Sequence, residues 1–383
     1  MTARIVILST SISLGGADQQ VIYLTRSLIS KGYQVKVIAL IPLGVLGIEA
    51  KSEGLPLYSL GMTRGIPDPR ALLKLHQWLR DWQPDVLITF MVHATLIGRV
   101  ARYLNQVPVF ISSIRNEKVG GQLVTRLFRA SNWMDDACVA NAKGSAMSLS
   151  RQGWVSDAKL RVIPNGVQLV GHRLDDERQG SSKDRGCIRE GLGIAETAFV
   201  WLAIGRLEPS KDYPNLLNAF SQIAASDMHL LIAGDGDLKG QLQALANDLK
   251  IADRVSFLGW RRDIPELFEV SDALVLSSAW EGMPNVVMEA LYLAKPVVAT
   301  QVGGVPELVQ DGDSGFLVPP GDAIALSKAM HRLLRLSPSQ RQTMGRSGHV
   351  YIKEHYSVEK ISDLWEALCL ELLAKKRGSS GVA

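Results

Sequence analysis

Two carboxylates, Glu281 and Glu289, bracket a break in the chain at Gly282 and Pro284. The residues before them, Ala273-Leu274-Val275-Leu276, form a short apolar run expected of a parallel strand covered on both faces. Asn285 is placed to cap a following helix through Val286, Val287, Met288, Leu291 and Leu293. The stretch from Ser271 to Ala294 therefore reads as strand, tight loop and helix. Ligands of open α/β sheets bind where strands end and helices begin, and a helix N-terminus favours an anion. Carboxylates beside an anion repel it, so Glu281 and Glu289 need hydroxyl groups to bond. An anion ringed by hydroxyls is the chemistry of a sugar nucleotide. A hydrolytic acid/base pair is another use for two carboxylates, but the glycine and proline between them make the geometry non-helical, so spacing does not fix their separation.

Further polar groups fall at strand ends. Gly205 and Arg206 follow the apolar run Phe199–Ile204, with Lys211 five residues on. A planar guanidinium and a point-charge ammonium of different reach suit a diphosphate, although solvated surface charges read the same way. Gly15 and Gly16 follow a first strand, Arg4–Ser9, where glycine lets backbone approach a phosphate. Their spacing is not G-x-G-x-x-G, and in Gly234-x-Gly236 the third glycine position is Lys239, which argues against a dinucleotide. The pairs Asp235/Asp237 and Asp311/Asp313 mimic a D-x-D metal site, but Asp-Gly marks a turn, and no metal is expected. His93 follows the strand Asp85–Phe90, and Arg115-Asn116-Glu117 follows Val107–Ser113. Arg115, Lys118, Arg126 and Arg129 are interleaved with Val119, Leu123, Val124, Leu127, Phe128 and Trp133. This basic amphipathic stretch suits an anionic membrane surface, or an ordinary solvated helix.

The elements that must position these groups alternate strand and helix. Arg4–Ser9, Gln34–Leu40, Asp85–Phe90, Val107–Ser113 and Ala137–Ala140 read as strands of a first doubly wound parallel sheet, with helices at Asp18–Lys31 and Ala94–Leu104. Residues 170–191 are polar and charged and read as a linker or surface excursion. A second series follows: Phe199–Ile204, His229–Ala233, Arg254–Leu258, Asp272–Leu276 and Pro296–Ala299. We therefore expect two Rossmann-like α/β domains facing across a cleft, residues 1–168 and 169–355, then a helix and basic tail in 356–383 packing back on the first domain. At 383 residues the chain is long enough for two buried cores. Three scattered cysteines fit a reducing cytosol, and no metal spacing is visible among them. The N-terminus reads as a strand, with no signal peptide, and the longest apolar run, Val37 to Ile48, is too short and broken to span a bilayer. The net charge of +4 hides an asymmetry: residues 1–165 carry 19 Lys and Arg against 10 Asp and Glu. A basic half joined to an acidic half implies different partners for each.

The chain resembles the retaining GT-B glycosyltransferases of family 4, the group 1 glycosyltransferases. The marks are VIPNGV (162–167), GRLEPSKD (205–212), IAGDGDL (232–238), FLGWRRDIPELF (257–268), EGMPNVVMEA (281–290), VGGVPELV (302–309) and GFLVPPGD (315–322). The resemblance implies a GT-B fold and transfer of a hexose or N-acetylhexosamine, with retention, from a nucleotide sugar. By it Arg206 and Lys211 grip the donor diphosphate beside Gly205, and Gly15 and Gly16 close over it. Glu281 binds sugar hydroxyls, Glu289 binds the ribose, and Gly282, Met283, Pro284 and Asn285 set backbone amides near the phosphates. Trp260 and Arg262 sit beside the base. His93 matches an acceptor-side histidine, whereas Arg115-Asn116 stands where many members have histidine, as in relatives with lipid-linked acceptors. No cofactor is implied beyond the substrate, with UDP the base suggested by the E-G-x-P-N variant. The acceptor implied is a saccharide or polyprenyl-linked saccharide of cell-surface polysaccharide or lipopolysaccharide synthesis. With the scattered cysteines and the basic stretch holding Lys118, Arg126 and Arg129, the expectation is a cytoplasmic chain, peripheral on the inner membrane face, with no nucleic-acid partner. A nucleotide-sugar epimerase of the same architecture would act on the donor alone. A non-catalytic sugar-nucleotide-binding protein would be expected to have lost some of Arg206, Lys211, Glu281 and Glu289.

Overall fold

A computed structural model describes residues 3–63, 65–66, 68–115, 121–168, 182–224 and 227–380. The chain divides into two compact units, Met1–Gly166 with Tyr356–Ala383, and Val167–His355.

The first unit is built on a parallel sheet of β1 (Arg4–Ser9), β2 (Gln34–Ala39), β3 (Leu57–Ser59), β4 (Val86–Phe90), β5 (Val109–Ile114), β6 (Ala137–Ala140) and β7 (Leu160–Val162), in the order β3-β2-β1-β4-β5-β6-β7. Between the strands run α1 (Gly16–Ser30), α2 (Val45–Ser52), α3 (Pro69–Trp82), α4 (Val92–Asn105), α5 (Gln122–Ala130) and α6 (Lys143–Arg151). Central strands such as VLITF of β4 are wholly buried because both faces of the sheet are covered. Successive side chains point to opposite faces. Ile5, Ile7, Ile88 and Phe90 therefore join a core with Val21, Leu24 and Leu28 of α1, while Val6, Leu8 and Leu87 join another with Leu75 and Leu79 of α3.

The second unit carries α7 (Ser182–Gly191), β8 (Phe199–Ile204), α8 (Tyr213–Ser221), β9 (Met228–Ala233), α9 (Lys239–Asp248), β10 (Val255–Gly259), α10 (Ile264–Val270), β11 (Ala273–Leu276), α11 (Asn285–Tyr292), β12 (Val297–Thr300), α12 (Val305–Leu308), β13 (Gly315–Val318) and α13 (Ala323–Leu334). Its six parallel strands run in the order β10-β9-β8-β11-β12-β13. Helix α14 (Pro338–Tyr356) leads back, and α15 (Val358–Ser380) belongs to the first unit. There Ile361, Trp365, Leu368 and Leu372 of α15 complete the core beneath α1.

Two local expectations change. Residues 182–191, read as part of a linker, form α7. Its hold comes from guanidinium groups rather than an apolar stripe: Arg189, 2% exposed, donates to the carbonyls of Val270, Glu196 and Ala198 and to the carboxylate of Asp272, to which Arg185 also donates at 2.7 Å. Residues 170–181 lie outside the described residues. The cap of α11 is Pro284, with φ −75° and ψ 115°, and Asn285 is already inside the helix. Pro284 carries no side-chain acceptor, and no side-chain cap bond closes the start of this helix.

Candidate active site

Each sheet reverses its winding once, between β8 and β11 in the second unit and between β1 and β4 in the first. The connections leaving these strand pairs diverge to opposite faces and leave a crevice at the carboxyl ends, where such sheets bind ligands.

In the second unit the crevice collects Gly205, Arg206 and Lys211 after β8, and Glu281 and the start of α11 after β11. The two loops are stapled together: Ser277 Oγ donates to the Lys211 carbonyl at 2.8 Å, and the Ala279 amide donates to the Ser210 carbonyl at 2.8 Å. Lys211 Nζ then lies 2.6 Å from Glu281 Oε1, with both side chains largely buried. Ser278 Oγ donates to the same oxygen at 2.7 Å. Gly205 makes room for the lysine, since a Cβ there would sit 2.8 Å from Lys211 Cε. Its carbonyl accepts from the buried Tyr213 hydroxyl at 3.0 Å. Arg206 by contrast is 78% exposed and only loosely engaged, 3.0 Å from Glu208, a surface pair that holds a side chain weakly. One cation is thus fixed and the other is able to swing.

The loop Glu281-Gly282-Met283-Pro284 is braced from behind. Gly304 N donates to Gly282 O at 2.6 Å, and Gly303 sits at φ +51° with a hypothetical Cβ 2.1 Å from the Glu281 carbonyl. Met283 is buried and Asn285 partly so, which leaves the N-terminal turn of α11, with its backbone N–H groups, at the crevice. Glu289 lies one turn further in. It is partly buried, no hydrogen bond among the described residues reaches its carboxyl, and desolvation pushes its pKa up to about 7. A carboxyl so placed is short of donors, and hydroxyl groups would supply them. Trp260 is 47% exposed beyond β10, and the Arg262 guanidinium lies 5.3 Å from its ring centroid. Arg261 turns away to pair with Asp263.

In the first unit the switch point holds Gly15, Gly16 and His93. Asp18, 4% exposed at the third position of α1, accepts from the Ser13 amide at 2.8 Å and the Gly15 amide at 3.1 Å, fixing the glycine loop. Burial raises its pKa despite these bonds. Met91 bends the chain at φ 73°, so that α4 begins at the sheet edge with His93 exposed in its first turn. The Ala94 amide donates to Thr10 Oγ1 at 3.3 Å, linking the two loops. Arg115 is only 6% exposed: it donates to Ser113 Oγ and Asn165 Oδ1 and lies 4.8 Å from the Phe90 ring centroid. Burial lowers its pKa to about 9, which still leaves it charged at neutral pH. Asn116 and Lys118 lie outside the described residues. Arg126 and Arg129 are exposed on α5, beside Leu123 and Leu127, and Trp133 follows; these three are 69%, 50% and 68% exposed.

Among the described residues no three His, Cys, Asp or Glu side chains gather as a metal site. The D-x-D aspartates tie turns instead: Asp235 accepts from Gly236 N, and Asp311 from Leu317 N. No described helix is long and apolar enough to cross a membrane. Sequence reading does not single out Asp18, Ser278, Thr300 or Gly303, though the acid three residues after Gly15 is a helix-start signal.

Two doubly wound parallel sheets, each with polar groups at its switch point, define a two-domain α/β protein of GT-B fold. The chain belongs to the group 1, family 4 glycosyltransferases: the family of glycosyl transferases group 1 matches residues 184–349, and glycosyltransferase family 4 matches residues 14–170. It is 27% identical over 329 residues, 78% of this chain and 80% of the other, to the Escherichia coli UDP-Gal:alpha-D-GlcNAc-diphosphoundecaprenol alpha-1,3-galactosyltransferase. It is 28% identical to the lipopolysaccharide core biosynthesis glycosyltransferase LpsE of Rhizobium meliloti, over 94% of this chain and 96% of that one. In fold it is similar to the crystal structure of Anabaena HepE in complex with UDP-glucose, with TM-score 0.82 and 23% identity over 97% of this chain and all of the other.

Proposed function

We propose that this glycosyltransferase moves a hexose or N-acetylhexosamine from a UDP-sugar, with retention, to a saccharide or lipid-linked saccharide acceptor in cell-surface polysaccharide or lipopolysaccharide synthesis. The observation that carries the reading is the pairing of Lys211 with Glu281 at the switch point of the second unit. A cation for a phosphate and a carboxylate for sugar hydroxyls stand side by side, the two halves of a sugar nucleotide. The UDP-Gal in the name of the Escherichia coli relative and the UDP-glucose bound to Anabaena HepE support the choice of base. The diphosphoundecaprenol acceptor in that relative's name supports a lipid-linked acceptor.

In the proposed reaction the acceptor hydroxyl oxygen bonds to the anomeric carbon on the face from which the diphosphate leaves. The hydroxyl proton passes to the departing phosphate oxygen, so no strong protein base is required. Lys211 and Arg206 stabilise the negative charge growing on UDP. Gly205 and the backbone of Gly282–Asn285 border the phosphates, Glu281 accepts from sugar hydroxyls, Glu289 from the ribose, and Trp260 with Arg262 flanks the base. The acceptor side is His93, Arg115 and Asn116, with His93 nearest the reacting hydroxyl and Arg115 as support for its loop, while Gly15 and Gly16 keep the donor-diphosphate role that the resemblance implies.

The test is a thermal-shift screen against UDP, GDP and ADP sugars, followed by transfer to lipid-linked saccharide mimics with the product anomer read by NMR. Stabilisation by UDP-sugars and an unchanged anomeric configuration are expected; an inverted product would end the retaining assignment. A rearranged sugar released without acceptor would favour the epimerase. Glu281→Ala should abolish transfer and leave UDP affinity nearly intact, and unchanged turnover would remove the sugar-binding role. The exposed face of α5 is read as a peripheral contact with anionic membrane on the cytoplasmic side. Arg126→Gln with Arg129→Gln should weaken binding to anionic vesicles by about 2 kcal/mol in flotation assays, and equal flotation would discard the membrane role.

A further inference from the structure

We propose that Ser278 is a positioning residue for the donor sugar: with Lys211 it immobilises Glu281 through Oε1, so that Oε2 alone meets the sugar hydroxyls. The inference rests on the reading of Glu281 as a sugar-binding group. Both donors that reach the carboxylate, Lys211 Nζ at 2.6 Å and Ser278 Oγ at 2.7 Å, converge on Oε1. No hydrogen bond among the described residues goes to Oε2, and the side chain keeps 14% of its surface open. The carboxylate is therefore spent on one side and available on the other.

Ser278 is itself immobile. It is fully buried, and its carbonyl accepts from Thr300 Oγ1 at 2.7 Å, Thr300 being fully buried at the end of the neighbouring strand β12. A relay thus runs from β12 through Ser278 to Glu281 and on to Lys211, whose stem is confined above Gly205. Glu281 needs such support because it sits in a loop next to a glycine, where its backbone alone does not fix its χ angles. Charge-assisted hydrogen bonds are the strong ones, and a pre-oriented acceptor spares the ordering cost when the sugar arrives. The chemistry served is the pyranose ring of the donor, not the nucleotide.

That separation makes the inference testable by titration calorimetry with UDP and with UDP-glucose, UDP-galactose and UDP-N-acetylglucosamine on the full chain. If the wild type binds none of the three sugars, the functional reading itself fails. If it binds one, Ser278→Ala should weaken that UDP-sugar about tenfold, as for a lost hydrogen bond to a charged group, and change UDP affinity less than twofold. Ser278→Thr should restore affinity, and Ser278→Ala should add nothing on a Glu281→Gln background. Ser278→Cys, which keeps the volume and weakens the donor, provides the same comparison should the alanine variant fold poorly. Equal losses for UDP and UDP-sugar, no loss at all, or additive effects with Glu281→Gln would each overturn the proposal while leaving the donor reading intact.

Discussion

Glu289 shows how a site is prepared before its ligand arrives. Its carboxyl is desolvated and has no donor among the described residues, so the folded protein holds its proton up to about pH 7. The unfolded chain releases that proton near the ordinary glutamate value. Between the two, the folded state binds more protons, and stability falls as pH rises through the window. Glu289→Gln should therefore flatten the pH dependence of Tm between pH 5 and 7 and raise stability at pH 8 by on the order of 2 kcal/mol. Equal slopes for the two proteins would show that the carboxyl carries no such cost. Arg115 illustrates the opposite case. Its place after β5 is visible in the sequence, but its burial on Phe90 is not, because burial depends on segments distant in the chain.

At the scale of elements, the site depends on loops that support one another rather than on any helix alone. The Glu281 loop rests on Gly303, whose φ of +51° and lack of Cβ let the two backbones touch. Gly303→Ala would place a methyl group 2.1 Å from the Glu281 carbonyl. A loss of about 1–3 kcal/mol in denaturant melts and a drop of about 10²-fold in transfer are expected. A variant with wild-type rate would mean that this brace does not set the position of Glu281. The GG in VGGVPELV is visible in the sequence; which carbonyl it must avoid is not. The polar helix α7 was illegible for a related reason. Its anchor is Arg189 bonding main-chain carbonyls of residues 196, 198 and 270, which no periodicity of apolar residues encodes.

Across the whole molecule, the first unit is completed by the end of the chain. Trp365 of α15, 2% exposed, lies 5.7 Å from Phe90 between ring centroids, and Lys31 and Tyr33 bond Glu366 on the same helix. Trp365→Ala should cost about 3–5 kcal/mol, read as early loss of the first unit in denaturation followed by segment-resolved hydrogen exchange. Destabilisation confined to α15 would mean that the core beneath α1 stands without it.

The sequence by itself determined the strand-helix rhythm, because parallel strands buried on both faces read as unbroken apolar runs. It also placed Arg206, Lys211 and Glu281 in the loops after strands, where glycine or proline marks the end of an apolar run, Glu289 one turn into the following helix, and His93 just past its strand. Tertiary structure alone decided the strand order, and with it which strand ends share a crevice. It decided that Lys211 and Glu281 meet, that Ser278 and Thr300 hold that meeting in place, and that Arg115 is buried while Arg206 is exposed. Local pattern records what each residue can do; the packing of residues far apart in the chain decides which of them do it together.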